Sequence, residues 1–237
     1  MSDPDGMLVG MYREWASRLP GAVAWERTVS AVAPSNRILP DGCMDLIWSD
    51  GELIVAGPDT TAHLSETASG ATFSALRFAP GMAPAVLGVP AHELRDRRVA
   101  LDRLWPAAEV RRLTERIDQA PDRPAALEKL AIRRLDQGEP PAPAVAEIVR
   151  RLTAGRPVAA TAEVVGLSER QLHRRCQTAF GYGPKTLVRI LRMNRALALA
   201  RGGTPFALVA AVAGYADQAH LSREVKALAG VPLGALV

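Results

Sequence analysis

The sequence predicts an α+β chain in which a small N-terminal antiparallel β-sandwich ends in two helices and an all-α domain follows. Three observations predict this. Short β-rich runs separated by Gly, Pro and Asp residues occupy the chain up to residue 79. After about residue 90 the apolar residues change to helical spacing. A proline-rich stretch at residues 138–143 then separates two parts of opposite net charge.

Four β-rich runs predict the strands of the N-terminal part, at residues 22–32, 44–49, 52–57 and 71–79. Asp50 and Gly51 separate the second run from the third, and Asp-Gly is typical of a two-residue hairpin turn. Short strands joined by such turns are typical of an antiparallel sandwich or a small barrel.

Apolar residues at helical spacing predict two helices after the strands, at about 101–117 and 124–137. The prolines of 138–143 cannot continue a helix, so this stretch is the expected linker. We therefore expect a β-rich domain at 1–137 and a helical domain at 144–237. The helices expected in the second domain lie at 144–154, 157–165, 168–180, 184–201, 205–213 and 217–229, with Ser168, Thr204 and Asp217 as N-caps.

The charge differs between the two parts. Residues 1–141 carry 16 Lys and Arg residues against 20 Asp and Glu residues, whereas residues 142–237 carry 13 against 5. A basic segment behind an acidic one suggests a polyanion-binding domain joined to a domain with another role.

An internal repeat with an offset of 49 residues lies in the basic part. In each copy a short helix ends at a glycine, and an N-cap and a second helix follow, which is the helix-turn-helix pattern. The residues that match are Ser168, Leu172, Arg174, Cys176 and Gly181 in the first copy and Asp217, Leu221, Arg223, Val225 and Gly230 in the second.

The second helix of each copy has one apolar side, and its other side carries groups that can bond to base edges. Arginine suits guanine and glutamine suits adenine. The candidates for base contacts are Arg170, His173, Arg174 and Gln177 in the first copy, and Gln218, His220, Ser222 and Arg223 in the second. Lys185, Arg189 and Arg192, on the helix that connects the copies, are the candidates for phosphate contacts. Double-stranded DNA is therefore the expected partner.

Residues 144–234 resemble the DNA-binding domain of AraC/XylS-type transcription regulators. In the first copy the resemblance implies base contacts at Arg170, His173 and Arg174, but not at Gln177. In the second copy it implies base contacts at Gln218, His220, Ser222 and Arg223, and also at Ala219. Three positions depart from the family pattern: Pro232 comes one residue early, Val225 replaces the usual Phe, and Cys176 replaces a larger apolar residue.

Residues 36–81 resemble the small β-sandwich found before such domains in many actinobacterial regulators, which implies a cupin-like sensor or dimerisation domain. Trp25, Trp48, Phe73 and Phe78 are candidates to line an effector pocket, although simple core packing would also explain them. Cys43 is expected to be structural, because Asp41 and Asp45 beside it disfavour the thiolate.

The sequence contains no catalytic motif and neither a membrane span nor a signal peptide, so we expect a non-enzymatic cytoplasmic regulator without a cofactor. A metal site is not expected, because His63 and His92 are the only histidines of the N-terminal part. Two alternatives stay open: an effector-binding or interaction module that no longer binds DNA, and a metal-dependent cupin enzyme. RNA polymerase as a partner and a homodimeric state also stay open.

Overall fold

The computed structural model describes residues 10–30, 36–65 and 67–237. Its N-terminal part is built on a six-stranded antiparallel sheet with the order β1-β2-β7-β4-β5-β8. Two further strands, β3 and β6, pair with each other in a separate small sheet. The strands are β1 Gly10–Ala16, β2 Ala22–Val29, β3 Asn36–Ile38, β4 Met44–Ser49, β5 Glu52–Ala56, β6 His63–Ser65, β7 Thr72–Phe78 and β8 Arg98–Ala100.

The hairpin expected between β4 and β5 is present. Ser49 pairs with Glu52, and the two residues between them have positive φ angles, 48° at Asp50 and 80° at Gly51. A turn with both central residues at positive φ matches the right-handed twist of the flanking strands, which explains why Asp-Gly occupies it.

Three helices cover one face of the large sheet: α1 Ala83–Leu87, α2 Ala107–Asp118 and α3 Arg123–Gln137. Asp122 caps α3 by accepting a hydrogen bond from the Ala125 amide at 2.8 Å. A hydrophobic core fills the space between sheet and helices, with fully buried side chains that include Leu46, Leu76, Phe78 and Leu127.

Six helices form the C-terminal part, with bounds within two residues of those expected. They are α4 Pro143–Thr153, α5 Val158–Val164, α6 Glu169–Phe180, α7 Pro184–Arg201, α8 Phe206–Ala213 and α9 Gln218–Ala229. Their core is a second cluster, whose buried members all come from residues 145–236. Residues 138–142, where the linker was expected, form neither helix nor strand.

The fold class expected from the sequence is confirmed, with differences in detail. The second sheet has only two strands in the described residues, and helices rather than strands cover the opposite face of the large sheet. Residues 31 and 32 of the first expected strand lie outside the described residues. Thr204 is not a helix cap, because Pro205 occupies that position of α8. Nowhere in the described parts of the chain is a helix long and apolar enough to cross a membrane.

Candidate nucleic-acid interface and cavity

The first candidate recognition helix is α6. Ser168 caps it in a capping box, in which the Ser168 hydroxyl accepts from the Gln171 amide and the Gln171 side chain accepts from the Ser168 amide. Gly181 ends the helix at a φ of +85°. Leu172, Cys176 and Phe180 are buried in the C-terminal core, so the opposite side of α6 faces outward.

That outward side of α6 carries the residues expected to contact bases. Arg170, His173 and Arg174 are exposed, and Gln177 is half-buried. Lys185, in the first turn of α7, is exposed as well. The four residues of α6 share one face at i, i+3, i+4 and i+7, as a helix entering a major groove requires.

The second candidate recognition helix is α9. Asp217 caps it by accepting a hydrogen bond from the His220 amide at 2.6 Å. Gln218, Ser222 and Arg223 are exposed, while Leu221 is fully buried. Arg223 therefore has the same relation to the core as Arg174 has in α6.

His220 has a local structural role beside its expected base contact. Its Nδ1 atom accepts a hydrogen bond from the Ala216 amide at 3.2 Å, and its ring packs edge-on against Tyr215 with centroids 5.4 Å apart. Because Nδ1 is an acceptor here, Nε2 is the ring nitrogen that can donate to another group.

The connecting helix α7 holds α9 through ion pairs. Glu224 accepts from Arg192 at 2.6 Å and from Arg189 at 3.0 Å. Burial by itself would raise the pKa of Glu224, but the bonds from the two arginines outweigh it and lower the pKa. The guanidinium of Arg192 also stacks 4.3 Å from the ring centre of Tyr215. Phosphate contacts by Arg189 and Arg192 stay predictions. Both side chains already bond to Glu224, so a phosphate would have to bind them beside that carboxylate or replace it.

A cavity of about 330 Å³ lies in the N-terminal part, between the large sheet and the β3–β6 sheet. Its wall combines apolar and charged side chains. The apolar residues include Trp25, Ile38, Leu39, Ile47, Ile54 and Phe73, and the charged ones are Arg27, Arg37, Arg77, Arg98, Asp41, Asp45 and Asp59.

The structure separates the four aromatic residues expected to form one pocket. Trp25 and Phe73 line the cavity. Trp48 and Phe78 do not, which corrects the prediction, because they lie on the opposite face of the sheet in the core beneath α3. Arg123 of α3 stacks on Trp48 at 3.9 Å from the ring centre. Residues 73 and 78 are an odd number of positions apart in one strand, so strand alternation could have placed them on opposite faces.

Two ion-pair networks cross the cavity wall. Asp45 accepts from the Trp25 indole nitrogen at 2.6 Å and from Arg77 at 3.2 Å. Asp59 accepts two hydrogen bonds from Arg98, each 2.6 Å long. These pairs could not be predicted from the sequence, because they depend on strand register.

Several cavity groups have shifted pKa values. Burial raises the pKa of Asp41, with Arg77 opposing the shift. Burial, followed by the charge of Asp41, raises the pKa of Cys43 well above its usual value, in the direction expected from the sequence. Burial and the charge of Arg98 lower the pKa of His63. Across residues 10–30, 36–65 and 67–237, no three His, Cys, Asp or Glu residues are grouped as a metal site would need.

The β3–β6 sheet contacts the C-terminal domain directly. Arg37 of β3 donates to the Ala229 carbonyl at the end of α9, at 2.8 Å. The Ala62 amide donates to the Leu228 carbonyl at 2.7 Å. Asn194 of α7 donates to the Pro40 carbonyl at 3.1 Å. A wall of the cavity is thus bonded to the second candidate recognition helix.

Comparisons with known proteins match both parts of the chain. A helix-turn-helix domain family matches residues 161–236, and a domain family of unknown function matches residues 22–100. No curated protein sequence matches the chain.

Solved structures with a similar backbone include ToxT from Vibrio cholerae O395, at 10% sequence identity and a TM-score of 0.48. The match covers 92% of this chain and 98% of that one. Another is wild-type ToxT from Vibrio cholerae strain SCE256 with an unsaturated fatty acid bound, at 9% identity and a TM-score of 0.48, covering 90% and 93%.

Proposed function

We propose that this DNA-binding regulator places α6 and α9 in two successive major grooves. The two helices belong to a helix-turn-helix domain of the AraC type at residues 161–236. A small molecule in the N-terminal cavity controls their binding. The observation that carries the proposal is the matched placement of Arg174 and Arg223. Each is exposed and follows a fully buried leucine by two residues, on a helix whose start is capped.

Charge supports DNA as the partner. Residues 142–237 carry 13 basic residues against 5 acidic ones, and one of the five, Glu224, is already paired with two arginines. Phosphate contacts then supply affinity, and the exposed faces of α6 and α9 supply the choice of sequence. In this proposal the protein acts in the cytoplasm, by binding rather than by catalysis. Regulation of a promoter implies RNA polymerase as a further partner.

The cavity supports control by an effector. It combines an apolar wall with a few converging polar groups, which is the usual character of small-molecule sites, and its volume falls within their range of roughly 300–1,000 Å³. The matched family of unknown function, residues 22–100, runs from β2 to β8 and so contains most of the cavity wall.

We also propose that residues 142–237 fold and bind DNA without the rest of the chain. Their hydrophobic core is separate from the core of the sheet domain, and an irregular proline-rich segment joins the two parts. The bonds from the β3–β6 sheet would then modulate this domain rather than hold it together.

Selection of random double-stranded DNA by the full-length protein tests the proposed function. We expect enriched sequences with two conserved blocks whose centres lie about one helical turn, roughly 10 base pairs, apart. The same selection with the 142–237 fragment should recover the same two blocks. Failure of the full-length protein to enrich any sequence, or enrichment of a single short block, would contradict binding by two recognition helices.

A further inference from the structure

We propose that the N-terminal cavity binds an organic anion, and that Arg37 reports its presence to α9 by exchanging the Ala229 carbonyl for the anion. This inference rests on the proposed function, since it names the chemical class of the effector and the route by which it acts. It is carried by the charges of the cavity wall and by the position of Arg37 between cavity and helix.

The charged groups of the wall favour an anion. Four arginines face three aspartates across the described wall. Arg98 is paired with Asp59, and Arg77 is paired with Asp45. Burial favours the neutral form of the third carboxyl group, Asp41. Arg37, by contrast, donates to a neutral backbone carbonyl, so a bound anion can neutralise its positive charge.

The remainder of the wall favours an organic body on that anion. Trp25 and Phe73 present aromatic surface, and Ile38, Ile47 and Ile54 present aliphatic surface. Inorganic phosphate or sulfate would leave these side chains facing water. A ligand with an acidic group and an apolar ring or chain would cover them and gain the free energy of burying apolar surface.

Arg37 is placed to sense such a ligand. The carbonyls of the last helical turn have no partner within the helix, and a cation there is favourable. Arg37 supplies that cation to α9, and its Nη1 atom approaches Gly230 so closely that a Cβ atom there would lie 2.9 Å away. A hydrogen bond to an anion is roughly twice as strong as one to a neutral group, so an anion in the cavity competes effectively with the carbonyl.

The β3–β6 sheet carries this exchange to the DNA-binding domain. Arg37 and Ile38 of β3 and His63 of β6 line the cavity. The same small sheet is flanked by the bonds from Ala62 to α9 and from Asn194 to Pro40. Loss of the Arg37 bond therefore removes one of the three hydrogen bonds by which the described residues of this sheet and its flanks are connected to α7 and α9.

Two fluorescent probes of nearly equal shape test the ligand class. Anilinonaphthalene sulfonate carries an anionic group, and N-phenyl-1-naphthylamine is the same body without it. Arg37→Met should weaken sulfonate binding by ~10-fold or more, because a charge-assisted hydrogen bond is lost, and should leave binding of the neutral probe within about twofold. Arg37→Lys should retain most of the sulfonate affinity, and Arg103→Met, at an exposed arginine outside the cavity, should retain all of it.

Titration of the selected DNA site with the same proteins tests whether Arg37 connects the cavity to DNA binding. The sulfonate probe should change the DNA affinity of the wild type, and Arg37→Met without probe should change it in the same direction. The probe should then have no further effect on Arg37→Met.

If the wild type does not bind the sulfonate probe, or if Arg37→Met loses affinity for both probes equally, the proposal that the cavity binds an organic anion is overturned. DNA affinity that neither the probe nor Arg37→Met alters overturns the route. If none of the proteins binds any DNA, the proposed function itself fails, and these outcomes are distinguishable from one another.

Discussion

Glu224 of α9 accepts a hydrogen bond from Arg192 of α7 at 2.6 Å, and the same carboxylate accepts a second one from Arg189 at 3.0 Å. One acidic residue thus fastens a candidate recognition helix to the helix that connects the two copies of the motif. The side chain of Glu224 is 17% exposed, so these bonds are partly shielded from water. Together with the apolar contacts of the shared core, they connect α9 to α7.

Replacement of Glu224 by Gln should destabilise the C-terminal domain. The change leaves two arginines without a carboxylate, and we expect a loss of about 1–3 kcal/mol in the free energy of unfolding. Urea denaturation followed by circular dichroism measures it. Glu147→Gln is the matched control, since Glu147 pairs with Arg150 on the exposed side of α4. A smaller loss is expected there, and equal losses would show that the Glu224 pairs contribute no more than surface pairs.

The same pair predicts how stability depends on pH. The pKa of Glu224 is lowered in the folded protein from its ordinary value of 4.5. Its contribution is therefore complete above that value and is lost as the pH falls through the folded pKa. The stability difference between wild type and Glu224→Gln should shrink as the pH is lowered below 4.5. A difference that stays constant down to pH 3 would mean that the carboxylate charge contributes nothing.

Tyr182 offers a test of packing in the core of the C-terminal domain. It lies between α6 and α7, is only 3% exposed, and its hydroxyl finds no hydrogen-bond partner among the residues that the structure describes. Tyr182→Phe should leave stability unchanged or raise it by about 1 kcal/mol, because a buried polar group is removed. Tyr182→Ala should cost about 3–5 kcal/mol through the cavity that it creates. A clear loss of stability in Tyr182→Phe would reveal a partner for the hydroxyl.

Cys43 should behave as a structural residue. Its pKa is raised by burial and then by the charge of Asp41, and burial likewise raises the pKa of Cys176 to about 12. Both thiols should therefore react slowly with iodoacetamide at pH 8 in the folded protein and quickly in urea. Cys43→Ser should keep any response to an effector. Fast alkylation of Cys43 in the folded protein, or loss of the response on substitution, would identify a sensing thiol.

The helical domain could be predicted from the sequence because its signals are local. Ser168 and Asp217 stand at helix starts, Gly181 and Gly230 at helix ends, and the apolar spacing between them is regular. The DNA candidates Arg174 and Arg223 could be chosen in the same way, since helical spacing places them away from the buried leucines. Short elements such as β3, β6 and β8, three residues each, carry too little periodicity to be predicted.

The charged wall of the cavity and the contact between the domains could not be predicted from local signals. Arg77 and Asp45 are 32 residues apart in sequence, and Arg37 and Ala229 are 192 residues apart. Such pairs depend on strand order and on domain placement, which no single segment encodes. Glu224 was missed for the same reason, since its partners lie on another helix.

A base-by-base substitution series on the selected DNA site measures whether α6 and α9 each contact the bases of one groove, as we propose. Arg174→Ala should cost about 1–3 kcal/mol and relax base preference in one of the two blocks, and Arg223→Ala should do so in the other. Lys185→Ala, at an exposed phosphate candidate, should weaken all sequences about equally and lower the salt slope by ~1. If Arg174→Ala and Arg223→Ala also weaken all sequences equally, these helices contact only the DNA backbone, and the proposed base contacts are contradicted.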